Sequence, residues 1–182
     1  DFYVGEDRKP YDKEQFFRNW IIREPIKKPG EEFEYNNSNY NLLAWIIEHV
    51  SGQTYSEFLQ ENIFSRIGMN NTMFDNSQNI IPNKANNYMR DYGKLVRVPY
   101  TNNLYSIGAG ALVTNCDDLQ NWYECLKNRK ILSEYAYRIY LSENKNNYCY
   151  GLERYEEDRT IKYAHGGDTL GVSAYTQYYF DE

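Results

Sequence analysis

The apolar residues of this chain change period once, from helical spacing before residue 147 to strand-like alternation after it, and that change restricts the fold more than any other feature. Asp12 followed by Gln15 reads as a capping box ahead of Phe16, Phe17, Trp20 and Ile21, with Pro25 expected to stop the helix. A second helix is predicted from Asn39, with Leu43, Ile46, Ile47 and Val50 on its apolar face and Ser51-Gly52 at its end. Thr54 and Glu57 form another capping box before Phe58, Leu59 and Ile63, and Gly68 closes that helix. Thr114 or Asn115 caps a helix through Leu119, Trp122 and Leu126, and Ser133 caps one through Ile139. Beyond Asn147 the segments Tyr148 to Tyr155, Thr160 to His165 and Val172 to Phe180 are β-branched and aromatic, with turns between them. Helices first and antiparallel strands last predict a helix-rich α+β fold.

Between them, residues 70 to 105 are rich in Asn, Pro and Tyr and weakly periodic, which predicts a long irregular excursion with short strands around Tyr88 to Val98. The 182 residues suffice for one domain with a real core, and no linker divides the sequence. The apolar content of 41% includes 20 tyrosines. Without them it falls to roughly 30%, low for a self-contained globule. Either tyrosine rings do much of the packing, or part of the core belongs to other sequence.

The net charge is −6, and no Lys/Arg cluster offers the basic face that a nucleic acid requires. The longest apolar run, Leu42 to Ile47, is far too short to span a bilayer, and Asp1-Phe2-Tyr3-Val4 lacks the features of a signal peptide. Cys116, Cys125 and Cys149 form no CxxC pair, and His49 and His165 are too far apart for a helical metal pair, so no metal site is expected. Phosphate-binding glycine loops are absent, and no organic cofactor is expected either.

The segments that carry chemistry are Pro29-Gly30 followed by Tyr35-Asn36-Asn37 before an apolar helix, Gly108-Ala109-Gly110-Ala111-Leu112-Val113, and Tyr163-Ala164-His165-Gly166-Gly167. Tyr-x-Asn alone has no weight, because this composition yields about two chance matches. Two occur, Tyr35/Asn37 and Tyr100/Asn102, and only the flanking turn and helix favour the first. His-Gly-Gly is more specific, with chance odds of roughly one in a hundred. Together with Ile46 to Gly52 and Ile63 to Thr72, and in this order, these blocks resemble the serine β-lactamases and penicillin-binding proteins.

That resemblance implies a site. A serine at a helix start attacks a carbonyl, with a lysine one turn later. Tyr35 would relay the serine's proton and protonate the leaving group, a role that needs a neighbouring ammonium to favour the phenolate. Asn37 would orient the lysine and hold the substrate's amide. His165, Gly166 and Gly167 would form the opposite wall at a turn into a strand, and the Asp168 amide would supply half of an oxyanion hole. Tyr35, Asn37 and His165 are thus expected to line one cleft between helices and sheet.

The sequence also departs from the family. No Ser-x-x-Lys precedes Tyr35, and the literal match Ser142-Glu143-Asn144-Lys145 lies in a polar stretch after it. Where many β-lactamases carry Lys-Thr-Gly, this chain has His-Gly-Gly, which exchanges a fixed cation for a titratable ring and weakens recognition of a carboxylate. This pattern resembles esterase- and peptidase-like members. Asp168 brings a carboxylate close to the developing oxyanion, and His49 reads as a solvated residue.

The expectation is therefore the helical lobe plus part of the antiparallel sheet of a β-lactamase/DD-peptidase-like fold, with residues 1–182 a partial domain cut at both ends. The parent protein would be a serine hydrolase of D-Ala-type peptides, β-lactams or small esters, and this chain by itself inactive. The alternative is a non-catalytic ligand-binding module of the same fold. The expected partner is a small-molecule or peptide substrate, with self-association through strand edges left at Tyr178-Tyr179-Phe180 before Asp181-Glu182. The resemblance favours a bacterial protein of the cell envelope or exterior, and a cytoplasmic location stays open.

Overall fold

The computed structural model describes residues 12–22, 24 and 27–180, without the side chains of Trp20 and Ile21. Pro25, the apolar roles of Trp20 and Ile21, the start Asp1 to Val4 and the end Asp181-Glu182 lie outside the described residues. The chain forms two compact units, Asp1–Lys84 with Pro99–Asn115, and Ala85–Val98 with Cys116–Glu182. Because the chain passes between them repeatedly, no single linker separates them.

In the first unit, Asp12 caps α1 (Lys13–Phe16) by accepting from the Gln15 amide, and a π turn follows at Phe17–Ile21. Helix α2 (Asn37–Ser51) is capped by Asn36 and closed by Gly52 in the left-handed conformation at φ 70°. The Thr54/Glu57 capping box opens α3 (Tyr55–Leu59), which continues through a π turn into α4 (Ser65–Ile67) and ends at left-handed Gly68. The sequence reading thus places these boundaries within about two residues, the usual spread at helix ends. A short pair, β1 (Met73–Phe74) with β4 (Leu112–Val113), closes the unit.

The buried face of α2 differs from the expected one. Asn41, Ala44 and Trp45 are buried, whereas Leu43, Ile46 and Val50 are 52%, 48% and 79% exposed. The reason is a close approach. The chain at Gly108 lies so near α2 that an added Cβ would sit 1.9 Å from the Tyr40 carbonyl oxygen. At the point of contact the helix presents the Tyr40 backbone and the small Ala44 side chain. Asn41 donates from Nδ2 to the Tyr105 carbonyl at 2.9 Å and accepts from the Gly108 amide at 3.1 Å. Around this clamp Phe16, Trp45, Tyr105 and Ile107 form the apolar cluster, with Phe16 and Trp45 edge to face at 5.6 Å.

The irregular stretch is held by polar anchors. Buried Asp75 accepts from Lys84, from Asn103 Nδ2 at 3.1 Å and from the Ser77 amide at 2.8 Å. Such satisfaction is what allows a carboxylate to be buried.

The second unit packs α5 (Cys116–Lys127) and α6 (Glu134–Tyr140) on a three-stranded antiparallel sheet, β5 (Glu153–Glu157), β6 (Thr160–Thr169) and β7 (Val172–Phe180), in that order. Its core is aromatic: Tyr123, Tyr137 and Tyr163 are buried among Leu126, Cys149 and Leu152. Tyrosine rings therefore do much of the packing here. Their hydroxyls find partners, as when Tyr123 pairs with Thr176 at 2.5 Å and Tyr178 donates to Glu124 at 2.7 Å.

Two strand limits need correction. Tyr148 to Leu152 is not a regular strand, because the left-handed pair Asn146-Asn147 turns the chain tightly and leaves only isolated bridges from Tyr148 to Lys145 and Glu153. Strand β6 does not end at His165 but continues to Thr169, and the reversal comes at Leu170-Gly171. The hairpin β2 (Tyr88–Asp91) with β3 (Lys94–Arg97), turning at left-handed Tyr92-Gly93, belongs to this unit. It is seated on Gly171, where an added Cβ would lie 2.8 Å from the Tyr88 carbonyl oxygen.

Candidate active-site residues

Tyr35 and Asn37 lie together in the first unit. After the Pro29-Gly30 turn, with Gly30 at φ 81°, the chain runs extended into the α2 cap. Tyr35 is 45% exposed, and its ring lies 6.0 Å from that of Tyr40, one turn into the helix. Asn36 spends its side chain on the Ser38 amide at 2.8 Å, so Asn37, the first helical residue and half-buried, is not needed as the cap. The Asn41 clamp fixes the helix one turn later. On the approach, Lys27 pairs with Glu32 at 2.5 Å and Glu34 at 3.3 Å, and the Glu32 carboxylate above all raises its pKa.

The rival pair reads differently. Asn102 is buried and accepts from the Leu104 amide at 3.1 Å, capping a short helical turn at Asn103–Ser106. Its type is explained by local structure. The literal Ser142-x-x-Lys145 follows the end of α6 instead of opening a helix, and Ser142 Oγ donates back to the Ile139 carbonyl at 2.8 Å.

His165, Gly166, Gly167 and Asp168 lie in the second unit, inside β6 and not at a turn. Thr169 and Val172 flank the two-residue reversal as a facing pair, which sets the parity of the ladder. On that parity His165 and Gly167 exchange backbone hydrogen bonds with β7, while the amides of Gly166 and Asp168 point to the other edge of β6. Strand β5 pairs that edge only as far as Ala164. Gly166 has Tyr175 3.1 Å from the position of a Cβ, and Gly167 has nothing within 4 Å. The Asp168 side chain is exposed. His165 is half-buried, with Nε2 3.3 Å from the Tyr148 hydroxyl. Tyr148 escaped the sequence reading, since one tyrosine among 20 carries no signal of its own. The Asn146-Asn147 turn before it was the available cue.

A family model described as Beta-lactamase matches residues 3–160. The chain belongs to the beta-lactamase family. His165 to Asp168 lie just beyond the matched range. The serine beta-lactamase-like protein LACTB, mitochondrial, of Bos taurus is 32% identical over 120 residues, 65% of this chain and 20% of its own length. A penicillin-binding protein of Bacillus halodurans shares 27% identity and superposes with a TM-score of 0.76 over 91% of this chain and 53% of its own. A D-stereospecific amidohydrolase of Streptomyces, at 21% identity, shares the fold with a TM-score of 0.83 over 98% of this chain and 56% of its own. The chain spans about a fifth of the length of the curated relatives it matches first. The relationship is to serine hydrolases, and the α+β fold is theirs.

Proposed function

We propose that Tyr35, Asn37 and the His165–Asp168 segment of β6 serve one acyl-transfer reaction of the serine hydrolase type in the whole protein. The observation that carries this reading is the family match, which includes Tyr35-x-Asn37 at the start of α2. Tyr35 relays a proton between nucleophile and leaving group, and its exposure leaves the phenol accessible to both. Asn37 holds a substrate amide. The Asp168 amide, on the edge of β6 that β5 leaves, donates to the developing oxyanion, where a fixed N–H is worth most. The Asp168 side chain is exposed, so water screens its carboxylate from the developing charge. His165 replaces the fixed cation of Lys-Thr-Gly relatives. An uncharged amide or ester therefore suits this wall better than a substrate that needs its carboxylate paired. An amide of D configuration within that class is in keeping with the D-stereospecific amidohydrolase that shares the fold.

No Ser-x-x-Lys precedes Tyr35 in this sequence. A second reading is a ligand-binding module of the same fold, which needs no nucleophile. On either reading this polypeptide alone is expected to hydrolyse neither nitrocefin nor p-nitrophenyl esters above background. Saturable turnover that survives repurification and disappears in Tyr35→Phe would contradict the missing nucleophile. The two readings separate when the reading frame around Asp1 is sequenced: a Ser-x-x-Lys upstream supports the hydrolase, and its absence supports the binding module.

A further inference from the structure

Tyr148 is held from both sides. Its amide donates to the Lys145 carbonyl at 3.0 Å, and its own carbonyl accepts from the Asn144 amide at 2.9 Å. The turn between them uses left-handed Asn146 and Asn147, at φ 55° and 60°, and the Arg154 amide donates to the Asn147 carbonyl at 2.6 Å. A phenol on so constrained a backbone delivers its hydroxyl to a defined point. That point is His165 Nε2, at 3.3 Å, with the two rings edge to face at 6.1 Å. On the other side, β7 fixes the His165 backbone by pairing it with Thr176, whose hydroxyl lies 3.4 Å from the His165 carbonyl oxygen.

The chemistry of the pair decides where the proton sits. A phenol is a far better donor than a neutral imidazole N–H, and an imidazole nitrogen is a far better acceptor than a phenol oxygen. In the neutral ring the Tyr148 hydroxyl therefore donates to Nε2, and the ring proton is confined to Nδ1. This is the tautomer that an unrestrained imidazole disfavours. When the ring is charged, Nε2–H donates to the same phenol oxygen, so the orientation survives either protonation state. A carboxylate in place of Tyr148 could only accept, so it would hold the neutral ring as the opposite tautomer, Nε2–H, and favour the cation.

We propose that Tyr148 is the positioning residue of His165: its hydroxyl holds the neutral imidazole as the Nδ1–H tautomer, so that Nδ1 of His165 acts as a hydrogen-bond donor and not as a base. This deepens the proposed role of the β6 wall and rests on that reading for its functional meaning. The tautomer itself is independent of it.

The test uses the free chain, uniformly labelled with nitrogen-15, and long-range proton–nitrogen correlations of the imidazole rings about two pH units above the ordinary histidine pKa of about 6.5. The chain has only two histidines, so His49→Gln assigns both spectra. Exposed His49 is expected to show mainly the Nε2–H form. His165 is expected to show the Nδ1–H form, and Tyr148→Phe to return it to mainly Nε2–H with the backbone amide spectrum otherwise preserved. An Nε2–H form of His165 in the unsubstituted chain would overturn the proposal without any variant. So would a Tyr148→Phe chain that keeps Nδ1–H, because Tyr148 would then act by packing alone. Failure of His165 to take part in ligand recognition would leave this readout unchanged, which separates the two claims.

Discussion

The residue that does most to position the Tyr35-x-Asn37 segment is Asn41, a buried amide that holds the Tyr105–Gly108 turn against α2 through two hydrogen bonds. Replacing it with alanine leaves the buried Tyr105 carbonyl and the half-buried Gly108 amide without these partners and opens a small void. Each orphaned group costs about 1–3 kcal/mol. Asn41→Ala is therefore expected to destabilise the chain by about 3 kcal/mol, read as a lowered midpoint in urea at unchanged slope. An effect below about 0.5 kcal/mol, the range of ordinary surface substitutions, would show that the clamp is dispensable. Asn41 was not legible in the sequence. It falls between Tyr40 and Leu42 in a helix whose apolar period pointed to Leu43, Ile46 and Val50, and nothing local announces that a glycine 67 residues away will press against its face. Tyr35 and Asn37 were legible only because a Pro-Gly turn and a capped helix surround them. The buried cap at Asn102 gives the competing Tyr100/Asn102 match a purely local explanation.

Among the elements, caps and turn residues were read well because their physics is local. The Thr54/Glu57 box, Ser133 before α6 and the closing glycines Gly52 and Gly68 all stand where the sequence puts them. The continuation of β6 through Gly166 and Gly167 was hidden. Two glycines read as a turn, whereas nine consecutive pairings with β7 make them strand, and pairing is a property of two segments at once. Helices and sheet of the second unit meet through tyrosines, and this has a pH signature. Burial pushes the hydroxyls of Tyr123, Tyr137 and Tyr163 above their ordinary value, and burial does the same to the Cys125 and Cys149 thiols. The folded state thus holds these protons more tightly than the unfolded state. The stability they contribute is fully present below the unfolded values and is lost as pH rises through the alkaline range. The urea midpoint is expected to fall steadily between about pH 9 and 11, where cysteine and tyrosine ordinarily titrate. Tyr123→Phe should make that fall shallower. A midpoint independent of pH across this window would contradict tyrosine burial as the basis of the packing.

At the scale of the whole molecule, the chain belongs to the beta-lactamase family and divides into two compact units, one carrying Tyr35 and Asn37 and the other His165 to Asp168. The central proposal is that both groups recognise one substrate in the whole protein. The direct measurement is a titration of the labelled chain with D-alaninamide, following backbone amide shifts residue by residue, with L-alaninamide as the control. The account predicts saturable shifts at Tyr35 and Asn37 and at Gly166 and Asp168 that share one dissociation constant, with both sets lost together in Asn37→Ala. Shifts confined to one unit, or two sets that saturate at different concentrations, would contradict it.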